Sequence, residues 1–184
     1  MNKYKIIKES LRVLILGSLL SSFGGLSLEF IKAKLSVALP LIIILPALAD
    51  MVGDAGTIVV SKITTYFYIG KLKTDNKIPK FIYNLFLLLL GIFSISAVYI
   101  TFLALFIGYL KGFNFNAAFA FKMLFIVLVT TSTIILIIFS VALVGGRYAF
   151  KRNIDPDDLL IPITTSIADL GSLIVFSLLV FFIL

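Results

Sequence analysis

Residues 80–110, KFIYNLFLLLLGIFSISAVYITFLALFIGYL, carry no charged side chain after Lys80. A helix rising 1.5 Å per residue needs roughly 20 mainly apolar residues to cross a hydrocarbon core about 30 Å thick, and this run exceeds that length. Outward from it, four more stretches meet the same requirement, at about 10–31, 37–70, 117–147 and 158–184. Composition agrees, with 61% apolar residues and a charged fraction of 14%, against about 25% in soluble domains. Mean hydropathy is +1.18. The expected fold class is therefore all-α, a polytopic membrane protein of five transmembrane helices in which residues 1–184 form one transmembrane domain. The second stretch holds Pro40, Pro46, Gly53 and Gly56, so it is expected to be a broken or bent helix.

The residues that are missing exclude much chemistry. There is no cysteine, histidine or tryptophan, which rules out disulfides, thiolate metal sites and imidazole acid–base catalysis. Any metal must be held by oxygen. An enzyme is not expected, since the loops between spans are short and no nucleophile and base occur at suitable spacing. The net charge of +7 does not point to nucleic acid, because the basic residues gather in short clusters between apolar runs, as topogenic signals do. Lys3, Lys5, Lys8 and Arg12 precede the first span, Lys71, Lys73, Lys77 and Lys80 follow the second, and Arg147, Lys151 and Arg152 follow the fourth. These clusters alternate, which places the N-terminus in the cytoplasm and the C-terminus outside, in a multi-pass protein of the cell membrane. The first stretch resembles a signal peptide in its basic start and small residues. With four spans behind it, it is read as a retained helix whose Gly17, Gly24, Gly25 and serines allow close packing.

Nine acids remain to be explained. Glu9 and Asp75 lie among lysines, and Glu29 sits near the outer end of the first span; all three are read as solvated charges. Asp155, Pro156 and Asp158 fit an N-cap, a proline at the first helical position and an acid in the first turn. With Asp157 they also suit a cation-attracting mouth. Asp50, Asp54 and Asp169 lie deep within apolar runs. Asp169 is roughly 16 Å into the fifth span, where an ionised carboxylate costs about 2.5 to 3.5 kcal/mol on insertion scales. Asp50 and Asp54 are four residues apart, so on a helix they share a face and can converge on one cation. The structural alternative is that they are neutralised by Lys62 or by protonation, or cap half-helices at a break near Gly53.

Two spans share a pattern. Pro46 is followed by Asp54-Ala55-Gly56, and Pro162 by Asp169-Leu170-Gly171. Proline and glycine free carbonyl oxygens, which are tolerated at membrane depth where they are buried in protein or line a wet cavity. The expectation is two helices facing each other across a polar pathway. Carboxylates with Thr164, Thr165 and Ser166 suit hard cations, magnesium first, then calcium and manganese. The hydroxyl run Thr130-Thr131-Ser132-Thr133 is expected to hydrogen-bond between helices. A proton relay through the same acids, as in a cation/proton exchanger, is the main competing reading. A non-transporting scaffold, its acids fastened to a basic partner, is another.

The stretches LPALADMVGDAGTIVVSKITTYFYIGKL (45–72) and RNIDPDDLLIPITTSIADLG (152–171) resemble the two signature regions of the membrane domain of MgtE-type magnesium transporters, which include archaeal members and related animal solute carriers. The resemblance implies five spans, a cytoplasmic N-terminus, a homodimer in the lipid bilayer, and a cation pore between protomers. It also implies that Asp169 is the principal ligand of a hydrated Mg2+ and that Thr165 contributes its backbone carbonyl. The bacterial pattern commonly has Gly-Asn where this chain has Gly53-Asp54, and it has no evident counterpart of Asp50. The candidate metal ligands are thus Asp169, Asp54, Asp50 and Thr165, with Mg2+ as cargo and Mn2+, Co2+ and Ca2+ as alternatives; the added negative charge is expected to bind a divalent ion more tightly and to alter the selectivity among them. No cofactor is expected. The cytoplasmic domains that gate the bacterial proteins have no counterpart in these loops.

Overall fold

The computed structural model describes residues 11, 15, 17–19, 21–72, 79–152 and 154–184. Among these the secondary structure is helical throughout, without strands. A 3-10 turn at Ser27–Ile31 leads into a short helix, α1 (Lys32–Val37). Four long helices follow: α2 (Leu39–Tyr68), α3 (Lys80–Leu110), α4 (Ala117–Lys151) and α5 (Pro156–Ile183). All four are long and apolar enough to cross a membrane. They match the second to fifth expected spans to within a turn or so. The first expected span falls partly outside the described residues. Its described part is helical at 17–19 and 21–26.

Local sequence explains where these helices begin and end. Pro40 sits in the first turn of α2, where its missing N–H removes no helical bond. The chain between α1 and α2 breaks at Ala38 (φ −107°, ψ 86°). At the end of α3, Gly112 takes φ +84°, which suits a residue without a Cβ. Phe113 N–H bonds the Gly108 carbonyl at 3.0 Å and Gly112 N–H bonds that of Tyr109 at 2.9 Å, a Schellman closure. Asn116 caps α4 by accepting from Phe119 N–H at 2.8 Å. Asp155 caps α5 by accepting from Asp157 N–H at 3.0 Å, with Pro156 at the first position and Asp157 and Asp158 in the first turn, as the sequence predicts.

The expected break in the second span is absent. The helix runs without interruption from Leu39 to Tyr68, through Pro46, Gly53 and Gly56. Pro46 lies only two turns in, and its cost is the loss of one bond. The glycines serve packing: a Cβ on Gly56 would lie 3.2 Å from Thr164 Oγ1. The hydroxyl run in α4 also departs from expectation. Thr130 donates to the Ile126 carbonyl of its own helix at 2.8 Å, and Thr131 is buried with no hydrogen-bond partner. At Thr130 the carbonyl four residues back is within reach and captures the hydroxyl.

α2 and α4 pack on each other and form a shared wall. α5 lies in the groove on one side of this pair and α3 on the other, and α3 does not touch α5. The core between them is aliphatic and aromatic, with Leu48, Val52, Val59, Ile63, Met123, Ile126, Ile134 and Phe176 almost wholly enclosed. The N-terminal segment lies on α5. Gly17 approaches Ser166, Ser21 bonds Asp169, Gly24 approaches Leu170 and Ser27 bonds Ser177. Because both series ascend, segment and helix run in the same direction. Lys34 completes the contact by donating to the carbonyls of Val180 (3.0 Å) and Phe181 (2.8 Å), a cationic cap on the last turn of α5.

The junction of α2 and α3 generates a stability prediction. A Cβ on Gly108 would sit 2.7 Å from Cγ of Pro40, a rigid ring that cannot swing aside, whereas one on Gly91 would meet nothing within 4 Å. Gly108→Ala should therefore destabilise the protein by about 1–3 kcal/mol. Gly91→Ala in the same helix should be neutral or stabilising by up to about 1 kcal/mol. Thermal unfolding of the two variants in detergent measures the difference.

Candidate cation pathway

The uninterrupted turn of α2 gives one of its faces a composition that the other faces lack. Asp50, Asp54, Thr57, Ser61 and Thr65 succeed one another at intervals of three or four residues and so form a single stripe along the helix. Asp50, Asp54, Thr57 and Thr65 are exposed and Ser61 is partly so. The opposite face, with Val52, Ala55, Val59 and Ile63, is buried in the core. Among the described residues no ion pair or hydrogen bond engages the carboxylate of Asp50 or Asp54, and Lys62 does not neutralise either. With no helix break, neither acid caps a half-helix.

α5 packs beside this stripe, against two buried glycines of α2 near mid-helix. Gly53 lies against Thr165 and Asp169: a Cβ there would stand 3.7 Å from Thr165 Cγ2 and 3.9 Å from Asp169 Oδ1. One turn on, Gly56 lies against Thr164. The partner residues descend as the α2 residues ascend, so the two helices are antiparallel. Asp169 thus comes level with the Gly53-Asp54 peptide, near the middle of both helices. Asp50 is displaced from Asp54 by about 6 Å along the axis.

Asp169 is partly buried. Its Oδ2 accepts a hydrogen bond from Ser21 Oγ at 3.1 Å, and its backbone carbonyl accepts one from Ser172 Oγ at 3.1 Å. The neighbouring hydroxyls turn back on their own helix: Thr164 to the Leu160 carbonyl (2.8 Å), Thr165 to Ile161 (2.9 Å) and Ser166 to Pro162 (2.9 Å). Thr165 therefore presents its methyl group to Gly53, and its hydroxyl proton is already committed. No group of three acids gathers around one point among the described residues. Asp169 reaches Gly53, the chain neighbour of Asp54, but the three acids do not form a closed carboxylate cage among the described residues. The physical reason is the continuous helix, which holds Asp50 and Asp54 on its outward face.

One contact lay beyond sequence reasoning. Ser21 and Asp169 are 148 residues apart, and the serines of the first segment read only as small packing residues. Nothing in local periodicity marks which serine meets a carboxylate. Lys34 is a second case, since a lysine in an outer loop gives no sign that it caps a distant helix.

The fit of Gly53 against Asp169 is testable by size alone. Gly53→Ala introduces only ordinary van der Waals contacts and should change stability by less than about 1 kcal/mol. Gly53→Leu must displace Thr165 or the Asp169 carboxylate and should cost about 1–3 kcal/mol. Chemical or thermal unfolding in detergent compares the pair.

Comparison with known proteins places the chain in a family. The family model for MgtE, a divalent cation transporter, matches residues 45–179, which contain α2 from Leu45 onward, all of α3 and α4, and most of α5. No curated protein and no solved structure matches the chain. The matched region holds Asp50, Asp54, Thr165 and Asp169 and ends before Val180; Ser21 and Lys34 lie outside it. With four apolar helices of membrane-crossing length and a match over most of its residues, the chain is a multi-pass membrane protein that belongs to the MgtE family of divalent cation transporters.

Proposed function

We propose that the chain conducts a hydrated divalent cation, magnesium before others, along the polar stripe of α2 and past Asp169 of α5, in a path closed by a second copy of the chain. The observation that carries this reading is the exposure of two unpaired carboxylates, Asp50 and Asp54, on a helix otherwise apolar enough to span the bilayer. Facing lipid, each would cost about 2.5 to 3.5 kcal/mol or more. Facing water and cations between two protomers, that cost falls away. A homodimer with the two stripes opposed supplies both the cover and a doubled set of acids, with Asp169 of each protomer near the centre.

Ligand chemistry favours magnesium. Every candidate donor is oxygen, and the ion gives up its water reluctantly, so a wide path with one or two carboxylates per protomer suits it better than a tight cage. The hydroxyls of Thr165 and Ser166, each donating within α5 and only partly buried, keep free lone pairs that water can use. The alternating basic clusters support a cytoplasmic N-terminus. The N-terminal segment and α5 lie parallel, as the first and last of five successive crossings would.

Purified protein in liposomes, with a magnesium-sensitive dye inside, tests the proposal. Asp169→Ala should lower uptake by at least about tenfold while helix content and oligomeric size stay unchanged; normal uptake by this variant would remove the proposed path. Asp54→Asn should raise the half-saturating magnesium concentration more than Asp50→Asn does, because Asp54 is level with Asp169. A pH-sensitive dye in parallel vesicles should report no proton movement stoichiometric with the cation. Such movement would favour the exchanger.

A further inference from the structure

Asp169 is held from a part of the chain outside the matched region. Its Oδ2 accepts from Ser21 Oγ at 3.1 Å, while Oδ1 faces the Gly53 side of α2. The two oxygens thus have different surroundings: one is anchored to the N-terminal segment and the other is turned toward the helix that carries the polar stripe. The neighbouring contacts hold the anchor at a fixed height. Gly24 comes so near α5 that a Cβ there would lie 3.1 Å from Leu170 Cα and 3.6 Å from the Asp169 carbonyl oxygen. Gly17 is packed on Ser166 one turn below, and Ser27 meets Ser177 at 3.1 Å two turns above.

From this geometry we infer that Ser21 is a positioning residue for cation passage, fixing the Asp169 carboxylate so that Oδ1 points into the path. The inference rests on the proposed role of Asp169. A carboxylate with one oxygen tethered loses rotational freedom about its last torsion, so less ordering is left to be done when the hydrated ion arrives. A serine suits the task because its hydroxyl donates without bringing a charge that would repel a cation. The N-terminal segment then does more than cover α5, since it sets the direction of the carboxylate at mid-depth.

The full chain in liposomes tests this with Ser21→Ala, Ser21→Thr, Ser27→Ala and Asp169→Ala compared by magnesium uptake over a range of concentrations. Ser21→Ala should raise the half-saturating concentration about tenfold and leave the maximal rate within about twofold. Ser21→Thr keeps the hydroxyl and should restore most of the loss. Ser27→Ala removes a hydrogen bond from the same interface without touching Asp169, and should behave as the parent protein. Unfolding midpoints of Ser21→Ala and Ser27→Ala should agree, separating positioning from general loosening of the segment. The inference is overturned if Ser21→Ala saturates as the parent does, if Ser27→Ala shifts saturation equally, or if Ser21→Thr fails to restore it. Loss of uptake in Asp169→Ala alongside any of these leaves the path standing and removes only the role of Ser21. Normal uptake in Asp169→Ala removes the path itself.

Discussion

A carboxylate at the depth of hydrocarbon has to be screened from lipid, and the packing of this bundle turns on how that is done for Asp169. Gly53 and Gly56 let α2 approach α5 so closely that Asp169 is partly enclosed. Gly17 and Gly24 let the N-terminal segment approach the same helix on another side, close enough for Ser21 to donate to the acid. Larger side chains at these positions would push the helices apart and open the acid to the bilayer. Small residues in the first segment and in α2 thus line the contacts on either side of Asp169, and the aliphatic core of α2, α4 and α5 closes around the arrangement.

The same constraint is unmet for Asp50 and Asp54 within one chain. They stand on the outward face of α2 without partners, in line with Thr57, Ser61 and Thr65. A stripe of this kind on a membrane-crossing helix calls for water or protein opposite it, and the proposed second copy provides both. In the proposed reading the stripe supplies acids and hydroxyls spaced along a cation path, and no lysine among the described residues pairs with Asp50 or Asp54.

Much of this was legible in the sequence because membrane crossing imposes length and composition directly. The run at 80–110 returned as α3 over Lys80–Leu110, and Asp155-Pro156 returned as the start of α5. Asp169 stood out because an acid in an apolar run has few explanations. Three features were not legible, each for a physical reason. Pro46 and the glycines of α2 looked like a break because local propensity says so, yet tertiary packing uses the glycines as contact surface and tolerates a proline two turns into the helix. The threonines of α4 looked like interhelical bridges, although the nearest acceptor to Thr130 is its own helix. Ser21 and Lys34 act on α5 across nearly the full length of the chain, and no local pattern encodes such a pairing.

The central claim is that a hydrated divalent cation passes between Asp169 and the polar face of α2 in a paired assembly. The most direct test is a structure of the full chain in manganese salt, with the ion located by its anomalous scattering. The account predicts a peak beside the Gly53 and Asp169 contact, bounded by the α2 stripes of two protomers, and separated from the carboxylates by a water layer. A peak elsewhere, or an assembly in which Asp50 and Asp54 face lipid, would contradict it.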